Sequence, residues 1–231
     1  SSKNRFWEIA HWTAGYSYNE THIENPNIEY NNQLTHTATL GYVYNNNPKV
    51  YEPFKSVKIL SHPALVLIKE INFSIAPSQV AFNTQINRRY NELQRRNLNN
   101  PNQIFNPTYD KDFRWTRNYQ ISYNLARNLK FDFQSNVLAR VNEVEGRLDR
   151  DMSDYEQLRD TILLSLRNLG EITDYNHNFQ INYNAPINKI PGFKWISASL
   201  SYSGRYNWKI SPRLGPNVPN VGNQIQNSNQ R

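Results

Sequence analysis

The sequence predicts an all-β fold in which antiparallel strands form the wall of a water-filled channel seated in lipid. Polar and apolar residues alternate with a period of two over ten or more residues, so each strand has one aromatic face and one polar face. The polar positions are mostly Asn, Gln, Ser and Thr, whereas soluble β-proteins favour Lys and Glu there. Both features are typical of strands that separate lipid from water.

The composition excludes several classes of protein. The 231 residues include 15 Tyr, 10 Phe and 5 Trp, with 38% hydrophobic and 19% charged residues, which argues against general disorder. The absence of cysteine excludes disulfides and thiolate metal sites. No stretch reaches the roughly 20 apolar residues of a membrane helix, and Ser1 begins no secretory signal, so we expect any membrane to be crossed by strands.

The formal net charge of +7 would suit an acidic partner. The basic residues are scattered, however, apart from the pairs Arg88-Arg89 and Arg95-Arg96. A solvated rim is the favoured interpretation of these pairs, and a phosphate-binding patch is the alternative. We therefore expect no nucleic-acid partner.

The first four predicted strands place apolar residues at every second position. They cover 6–19 (with Trp12, Ala14, Tyr16 and Tyr18), 34–44 (Leu34, Ala38, Leu40, Tyr42 and Tyr44), 71–75 (Ile71, Phe73 and Ile75) and 80–87 (Val80, Phe82 and Ile86). The opposite positions of the first, second and fourth strands are mostly Thr, Ser, Asn or Gln. Pro77 ends the third strand because it has no N–H for a ladder hydrogen bond.

The other four predicted strands cover 113–125, 129–139, 175–185 and 196–208. The candidate lipid-facing residues are the apolar positions Tyr119, Ile121, Tyr123, Phe131, Phe133, Phe179, Ile181 and Leu200. The candidate pore-facing residues are the polar positions Asn118, Gln120, Asn124, Gln134, Asn136, Asn178, Gln180 and Asn182. Arg117 lies among the apolar positions. Because a basic residue facing mid-bilayer lipid costs about 2–4 kcal/mol, we expect Arg117 near an interface or beneath a loop or a partner.

The predicted connections alternate in length. Those after the third, fifth and seventh strands are short, around Pro77, Arg127-Asn128 and 188–192, and those after the second, fourth and sixth are long. Outer-membrane barrels have short periplasmic turns and longer outer loops. The first connection, 20–33, is longer than this rule allows.

One amphipathic helix and one tail interrupt the strands. Ser153 to Glu156 fits a capping box and Gly170 can supply a left-handed stop, which predicts a helix near 154–169. Its apolar residues are Tyr155, Leu158, Ile162, Leu166 and Leu169. We expect this helix to lie in a long loop and to pack on its own sheet, with a partner site as the alternative. Residues 1–211 are thus predicted to form the β-barrel segment, and 212–231 a polar linker-like tail.

No catalytic, cofactor-binding or metal-binding site is predicted. The five His residues show no metal-ligand spacing, and the common nucleotide-binding and hydrolase motifs are absent. Asp149, Asp151, Ser153 and Asp160 have the offsets of a calcium-binding EF-hand loop, but Asp154 replaces the glycine that such a loop requires. An enzyme is therefore not expected. A neutral polar wall instead suits a pore through which many polypeptides slide, because transport needs exit to be as easy as entry.

Several segments from residue 57 onward match one known family in order and spacing. These segments are 72–74 with 77–78, 87–97, 111–115 with Tyr119, 125–133, 168–170 with 175–177, 185–191 with Trp195, and 206–208. In them the chain resembles the SprA/Sov family, the outer-membrane translocon of the type IX secretion system in Bacteroidota. The resemblance covers over two-thirds of the chain, although a full member of the family has many more strands.

The resemblance implies a segment of a large antiparallel transmembrane β-barrel in the outer membrane of a Gram-negative bacterium. Such a barrel exports folded secreted proteins and is linked to gliding motility at the cell surface. The implied partners are outer-membrane lipid, secreted polypeptides, the remaining strands of the barrel, a smaller barrel protein that collects substrates, and a periplasmic plug protein.

Two alternatives stay open at this point. A small complete outer-membrane β-barrel would need a lumen filled by side chains. A secreted carbohydrate-binding or adhesive β-sandwich would bury its aromatic residues in a dry interior between two sheets and would be soluble without detergent. An isolated arc of strands would leave two open edges, so we expect the segment not to be stable by itself.

Overall fold

The computed structural model describes residues 5–61, 65–100, 102–144, 146–147, 151, 153, 155–211 and 222–231. Most of these residues belong to one antiparallel sheet of eight strands. The sheet strands are β1 (Trp12–Asn25), β2 (Ile28–Asn45), β5 (Gln79–Arg95), β6 (Thr108–Ala126), β7 (Leu129–Arg140), β8 (Glu171–Ala185), β9 (Ala198–Lys209) and β10 (Gln224–Gln230). A separate two-stranded sheet consists of β3 (Val50–Tyr51) and β4 (Phe73–Ser74). The predicted all-β class is confirmed.

The described helices are short. They are α1 (Val66–Lys69), α2 (Tyr155–Arg167) and three 3-10 turns at Ile9–His11, Lys58–Ser61 and Ile187–Lys189. In the part of the chain that the structure describes, no helix has the length and hydropathy needed to cross a membrane.

The sheet strands follow one another in space in their chain order, and every neighbouring pair is antiparallel. Residues that pair directly across two strands point to the same side of a sheet. Where apolar residues of one strand pair with apolar residues of the next, the apolar side therefore continues from strand to strand. Phe82 pairs with Tyr119, for example, and Tyr119 pairs with Ser135. Each face of the sheet is therefore continuous from β1 to β10.

The sheet is a single open layer. Within the described residues, β1 and β10 each pair with one neighbour and do not pair with each other. The buried apolar residues are few: Tyr42, Phe113, Val137, Ala139 and Val141. No closed, dry interior between two stacked sheets exists among the described strands, because the second sheet has only two residues in each strand.

The two ends of the sheet, here called the strap rim and the helix rim, differ in their connections. The strap rim carries 46–78, the two-residue turn Arg127-Asn128, and 186–197. The helix rim carries the two-residue turn Pro26-Asn27, 96–107, 141–170 with α2, and 210–223. Each rim therefore has both short and long connections, and the predicted separation of short from long is wrong.

The predicted third strand, 71–75, is not part of the main sheet. Only Phe73–Ser74 is extended, as β4 of the small sheet. The main sheet instead pairs β2 directly with β5, from Ile28 opposite Arg95 to Asn45 opposite Gln79. Because β2 and β5 match over their full length, no edge is left between them for a third strand.

Two further predictions are corrected. β1 and β2 continue through the predicted connection 20–33 to the turn Pro26-Asn27, where Asn25 Oδ1 accepts from two backbone N–H groups at 2.9 Å. Most residues of this extension are polar on both faces, so alternation did not reveal it. Gln224–Gln230 form β10, although a linker-like tail was predicted there, because backbone pairing with β9 needs no apolar pattern.

The helix predicted near 154–169 is α2. Its end is left-handed: φ is 63° at Leu169 and 71° at Gly170. The Gly170 N–H donates to the carbonyl oxygen of Ser165 at 2.8 Å, which satisfies a free carbonyl of the last turn. No residue of α2 is fully buried, and Leu158, Ile162 and Leu166 of its apolar stripe are half-buried.

Candidate functional site: an aromatic face opposite an amide-rich face

All aromatic side chains of the eight sheet strands lie on one side, here called the aromatic face. They are Trp12, Tyr16, Tyr18, Tyr30, Tyr42, Tyr44, Phe82, Tyr90, Tyr109, Phe113, Trp115, Tyr119, Tyr123, Phe131, Phe133, Tyr175, Phe179, Tyr183, Tyr202, Tyr206 and Trp208. In these eight strands, which are described in full, the opposite side carries no aromatic residue; it is here called the polar face. Matched alternation in neighbouring strands produces this sorting.

The eight candidate lipid-facing residues all lie on the aromatic face. One row consists of Ile121, Phe133 and Phe179, and the adjacent row consists of Tyr123, Phe131 and Ile181. Tyr119 and Leu200 flank these rows on β6 and β9. The register thus joins the candidates into one patch across four strands, in which Leu200 is 66% exposed.

The eight candidate pore-facing residues all lie on the polar face. Their pairs are Asn118 with Asn136, Gln120 with Gln134, Gln134 with Asn178, Asn124 with Lys130, Asn182 with Lys130, and Gln180 with Asp132. Lys130 and Asp132 form an ion pair of 3.1 Å. The amides are therefore continuous from β6 to β8 in the middle of the face. Arg205 of β9 adjoins them opposite Asn178, and paired charges interrupt them near the strap rim.

Five asparagines form one row across the polar face. The row runs from β5 to β9 through Asn83, Asn118, Asn136, Asn176 and Asn207. Neighbouring strands lie about 4.8 Å apart, so amides in one row can bond one another, as Asn136 Nδ2 does to Asn118 Oδ1. Asn83, Asn176 and Asn207 were not among the candidate pore-facing residues. The row depends on the register between strands, which alternation alone does not reveal.

A shallow depression of about 370 Å³ lies over this row, and none of its lining residues is charged. The lining includes Gly41, where a Cβ would lie 2.6 Å from Oγ1 of Thr13, so a larger residue would force the Thr13 side chain to move. Asn and Gln side chains both donate and accept hydrogen bonds without a net charge. The depression therefore offers weak, reversible polar contacts and no group that could transfer a proton or act as a nucleophile.

Arg117 lies on the aromatic face but is only 4% exposed. Its guanidinium carbon is 5.1 Å from the centroid of the Trp115 ring. The Trp115 indole N–H donates to Thr84 Oγ1 at 2.6 Å, which holds the ring beside Arg117. The charge is therefore covered by neighbouring side chains and is not bare on the aromatic face, although its Nε has no hydrogen-bond partner among the described residues.

The aromatic face becomes polar toward the helix rim. Glu92, 6% exposed, accepts hydrogen bonds from the hydroxyls of Tyr30 and Tyr90 at 3.0 and 2.8 Å. Arg88 forms an ion pair with Glu143 at 2.5 Å. The Arg88–Glu143 pair ties the connection after β7 to β5, and the Tyr30–Glu92 bond ties β5 to β2, so the apolar part of the face stops short of this rim.

No group of three or more His, Asp or Glu side chains among the described residues is placed to bind a metal ion. Asp149 and Asp154 of the EF-hand-like set lie outside the described residues. The surfaces that the sheet does build are an aromatic one and a polar one whose centre is rich in uncharged amides.

A scan of protein-family models finds no match for this chain, and a search of curated proteins finds none either. The resemblance to the SprA/Sov family therefore stays a prediction from short sequence segments. We therefore infer the function of this chain from the chemistry of its two faces.

Proposed function

We propose that this chain is a wall segment of an outer-membrane, protein-conducting pore: a type IX secretion translocon, linked to gliding motility, that exports folded proteins. The observation that carries the proposal is the sorting of eight strands into an aromatic face and an amide-rich face within a single layer. The resemblance to the SprA/Sov family supplies the particular secretion system.

The aromatic face requires a cover that keeps it out of water. Tyr16 and Leu200 are 68% and 66% exposed, and no described strand lies over them as a second large sheet. Soluble monomers rarely expose contiguous apolar patches of more than a few hundred Å². Hydrocarbon chains of the outer membrane would cover the apolar part of this face at once, and the tyrosines and tryptophans near its ends suit the headgroup level.

The polar face has the chemistry of a conducting wall. Its central amides bind neither anions nor cations strongly, because they carry no net charge. A polypeptide that touches such a wall gains little by staying, and conduction requires sites that are weak enough to leave. Secreted polypeptides are therefore the proposed cargo, and outer-membrane lipid is the proposed contact on the other side.

Open edges favour a barrel larger than this sheet. Among the described strands, β1 and β10 have no neighbour on their outer sides, and each backbone group left unpaired costs several kcal/mol in hydrocarbon. Further strands of a larger barrel would satisfy them. By resemblance, a substrate-collecting barrel protein and a periplasmic plug are the additional partners.

The two alternatives have less support. A complete eight-strand barrel would need β1 to pair with β10, which are at opposite edges of the sheet. A sugar-binding surface would combine aromatic platforms with amides, but here the two lie on opposite faces. A sandwich would need a second large sheet against the aromatic face.

Neighbouring residues of β6 provide a direct test. Because the chain has no cysteine, Tyr119→Cys and Gln120→Cys each give a single site for an environment-sensitive fluorophore. With the complete barrel that contains this chain in phosphatidylcholine vesicles, we expect the label at position 119 to be quenched by nitroxide lipids and the label at 120 by aqueous iodide. Equal environments at the two positions would overturn the proposal, as would a soluble monomer in the absence of lipid and detergent.

A further inference from the structure

The connection between β2 and β5 follows the strap rim. Its described residues, 46–61 and 65–78, are here called the strap. The Asn46 N–H donates to the carbonyl oxygen of Ser78 at 2.8 Å, so the strap begins and ends at the same point of the rim. Between these points it contains β3, β4 and α1.

Contacts with β6 and with the turn that follows it hold the strap to the aromatic side of the strap rim. The Tyr123 hydroxyl, which belongs to the aromatic face, donates to the carbonyl oxygen of Ser74 at 2.8 Å. The Arg127 N–H donates to Asn72 Oδ1 at 2.7 Å, and the Arg127 guanidinium forms an ion pair with Glu52 at 2.5 Å. β4 therefore lies beside the end of the apolar patch.

The strap presents positive charge that its own acids do not compensate. Its two acidic residues are both engaged: Glu52 with Lys55 at 2.7 Å and with Arg127, and Glu70 with Lys189 of the next connection. Lys49 and Lys58 are exposed, and they have no acidic partner among the described residues.

The strap also exposes an unusual number of large apolar side chains. They are Val50, Tyr51, Phe54, Val57, Ile59, Leu67, Ile68, Ile71, Phe73 and Ile75, and their exposed fractions run from 37% to 83%. Exposure of these side chains to water does not stabilise the strap. Apolar side chains combined with uncompensated lysines are typical of segments that lie in the interface of a membrane.

We propose that the strap docks on the headgroup region of an anionic phospholipid bilayer. Its apolar side chains reach the acyl boundary, and Lys49 and Lys58 contact lipid phosphates. The inference rests on the proposed function, because β6 and β7 must span the bilayer to place the strap at its surface.

Lipid fits this surface better than a protein partner does. The apolar side chains of the strap continue the apolar patch at Tyr123, and hydrocarbon is the proposed cover of that patch. The lysines add the charge that anionic headgroups attract, at roughly 1 kcal/mol for each basic residue near the surface. A membrane thus satisfies both features with one occupant.

A fluorophore at Ile59→Cys tests the inference, since Ile59 is 83% exposed and its replacement disturbs no packing. A second label at Leu200→Cys reports on the sheet itself. When the complete barrel that contains this chain is titrated with mixed phosphatidylglycerol and phosphatidylcholine vesicles, we expect both labels to shift to the blue. Lys49→Gln with Lys58→Gln should weaken the response at position 59 roughly 30-fold in lipid concentration and leave that at 200 unchanged. Arg89→Gln with Lys209→Gln, which removes the same net charge at the other rim, should have no effect.

Each contrary result has a defined meaning. If the label at 200 enters lipid and the label at 59 stays in water, the strap inference fails and the pore proposal stands. If neither label enters lipid, the pore proposal fails, and the inference about the strap fails as well. A response at 59 that is equal in pure phosphatidylcholine overturns the assignment to anionic lipid. A shift that needs no vesicles and rises with protein concentration assigns the strap to a second copy of the chain and also overturns the inference.

Discussion

Gly204 interrupts the row of large side chains that β9 contributes to the aromatic face. A Cβ at this position would lie 2.6 Å from Cε1 of Phe179, the residue directly opposite on β8. The Phe179 ring therefore occupies the space that a side chain at 204 would need. This is a close approach across two strands, and glycine permits it because it has no Cβ.

We expect Gly204→Ala to lower the free energy of unfolding by about 1–3 kcal/mol, since overpacking forces the ring out of its rotamer. Urea unfolding of the complete barrel that contains this chain, in detergent micelles, measures the change. Adding Phe179→Leu should restore part of the loss by removing the ring. Ser203→Ala, next to it on the polar face, is the matched control and should be nearly neutral. An undisturbed Gly204→Ala would show that β8 and β9 are less closely paired than described.

Glu52 is the residue that fastens the strap by charge. The hydrogen bond from Lys55, together with the nearby positive charge of Arg127, lowers the pKa of its carboxyl group below the ordinary 4.5. A carboxylate whose pKa is lowered by folding stabilises the folded form above its unfolded pKa. That contribution is lost as the pH falls from about 4.5 through the lowered pKa.

Hydrogen exchange at the strap rim tests this linkage. At pH 6, Glu52→Gln should speed exchange of the Arg127 amide, because the ion pair that holds the strap near Asn72 is gone. At a pH below the lowered pKa, wild type and variant should exchange alike. Glu24→Gln, at the other rim, provides the control. A difference that persists unchanged in acid would mean that the carboxylate charge does not hold the strap.

At the scale of the elements, the end of α2 depends on one residue. Gly170 has φ of 71°, and a Cβ there would lie 2.9 Å from the carbonyl oxygen of Arg140. We expect Gly170→Ala to destabilise the junction of α2 and β8 by about 1 kcal/mol or more, through backbone strain and this contact. Protease cleavage in the 141–170 connection should become faster. Gly146→Ala is the control. Gly146 is also at positive φ, but its Cβ position has open space around it, so this variant introduces the backbone strain without a close contact.

The strands that the sequence predicted best are those with the strictest alternation, such as β6, where aromatic residues and amides alternate from Phe113 onward. The extension of β1 past Glu20 was missed because polar residues occupy both of its faces. The run Ile71, Phe73 and Ile75 alternates like a strand but lies in the strap. Alternation therefore identifies strands that separate two environments, and it fails where both sides are wet or where the segment lies outside the sheet.

Register could not be predicted from strand positions. The turn Arg127-Asn128 alone would pair Tyr123 with Asp132 and so mix the two faces. An irregularity between Asn124 and Ala126 shifts β6 by one residue and pairs Tyr123 with Phe131 instead. The candidate residues were assigned to the correct faces by alternation, but the asparagine row and the apolar rows depend on this shift.

For the molecule as a whole, the decisive property is that its two faces differ in chemistry, and the proposed pore wall gives each face a different solvent. Phe131 lies opposite Tyr123 and Ile181 on the aromatic face, and Asn136 lies opposite Asn118 on the polar face. In the proposed membrane wall, replacing Phe131 by Asn would place an amide with no partner in hydrocarbon, at a cost of about 2–7 kcal/mol, and would also remove a half-buried ring. Replacing Asn136 by Ser removes one hydrogen bond beside water, worth about 1 kcal/mol.

We therefore expect Phe131→Asn to impair membrane assembly far more than Asn136→Ser. The fraction of chain that resists extraction from vesicles by alkaline carbonate, measured across a urea series, gives the two free-energy changes. Phe131→Leu keeps the face apolar and should fall close to wild type, which separates polarity from shape. Equal and mild effects of Phe131→Asn and Asn136→Ser would show that lipid does not contact the aromatic face, because both faces would then meet the same solvent.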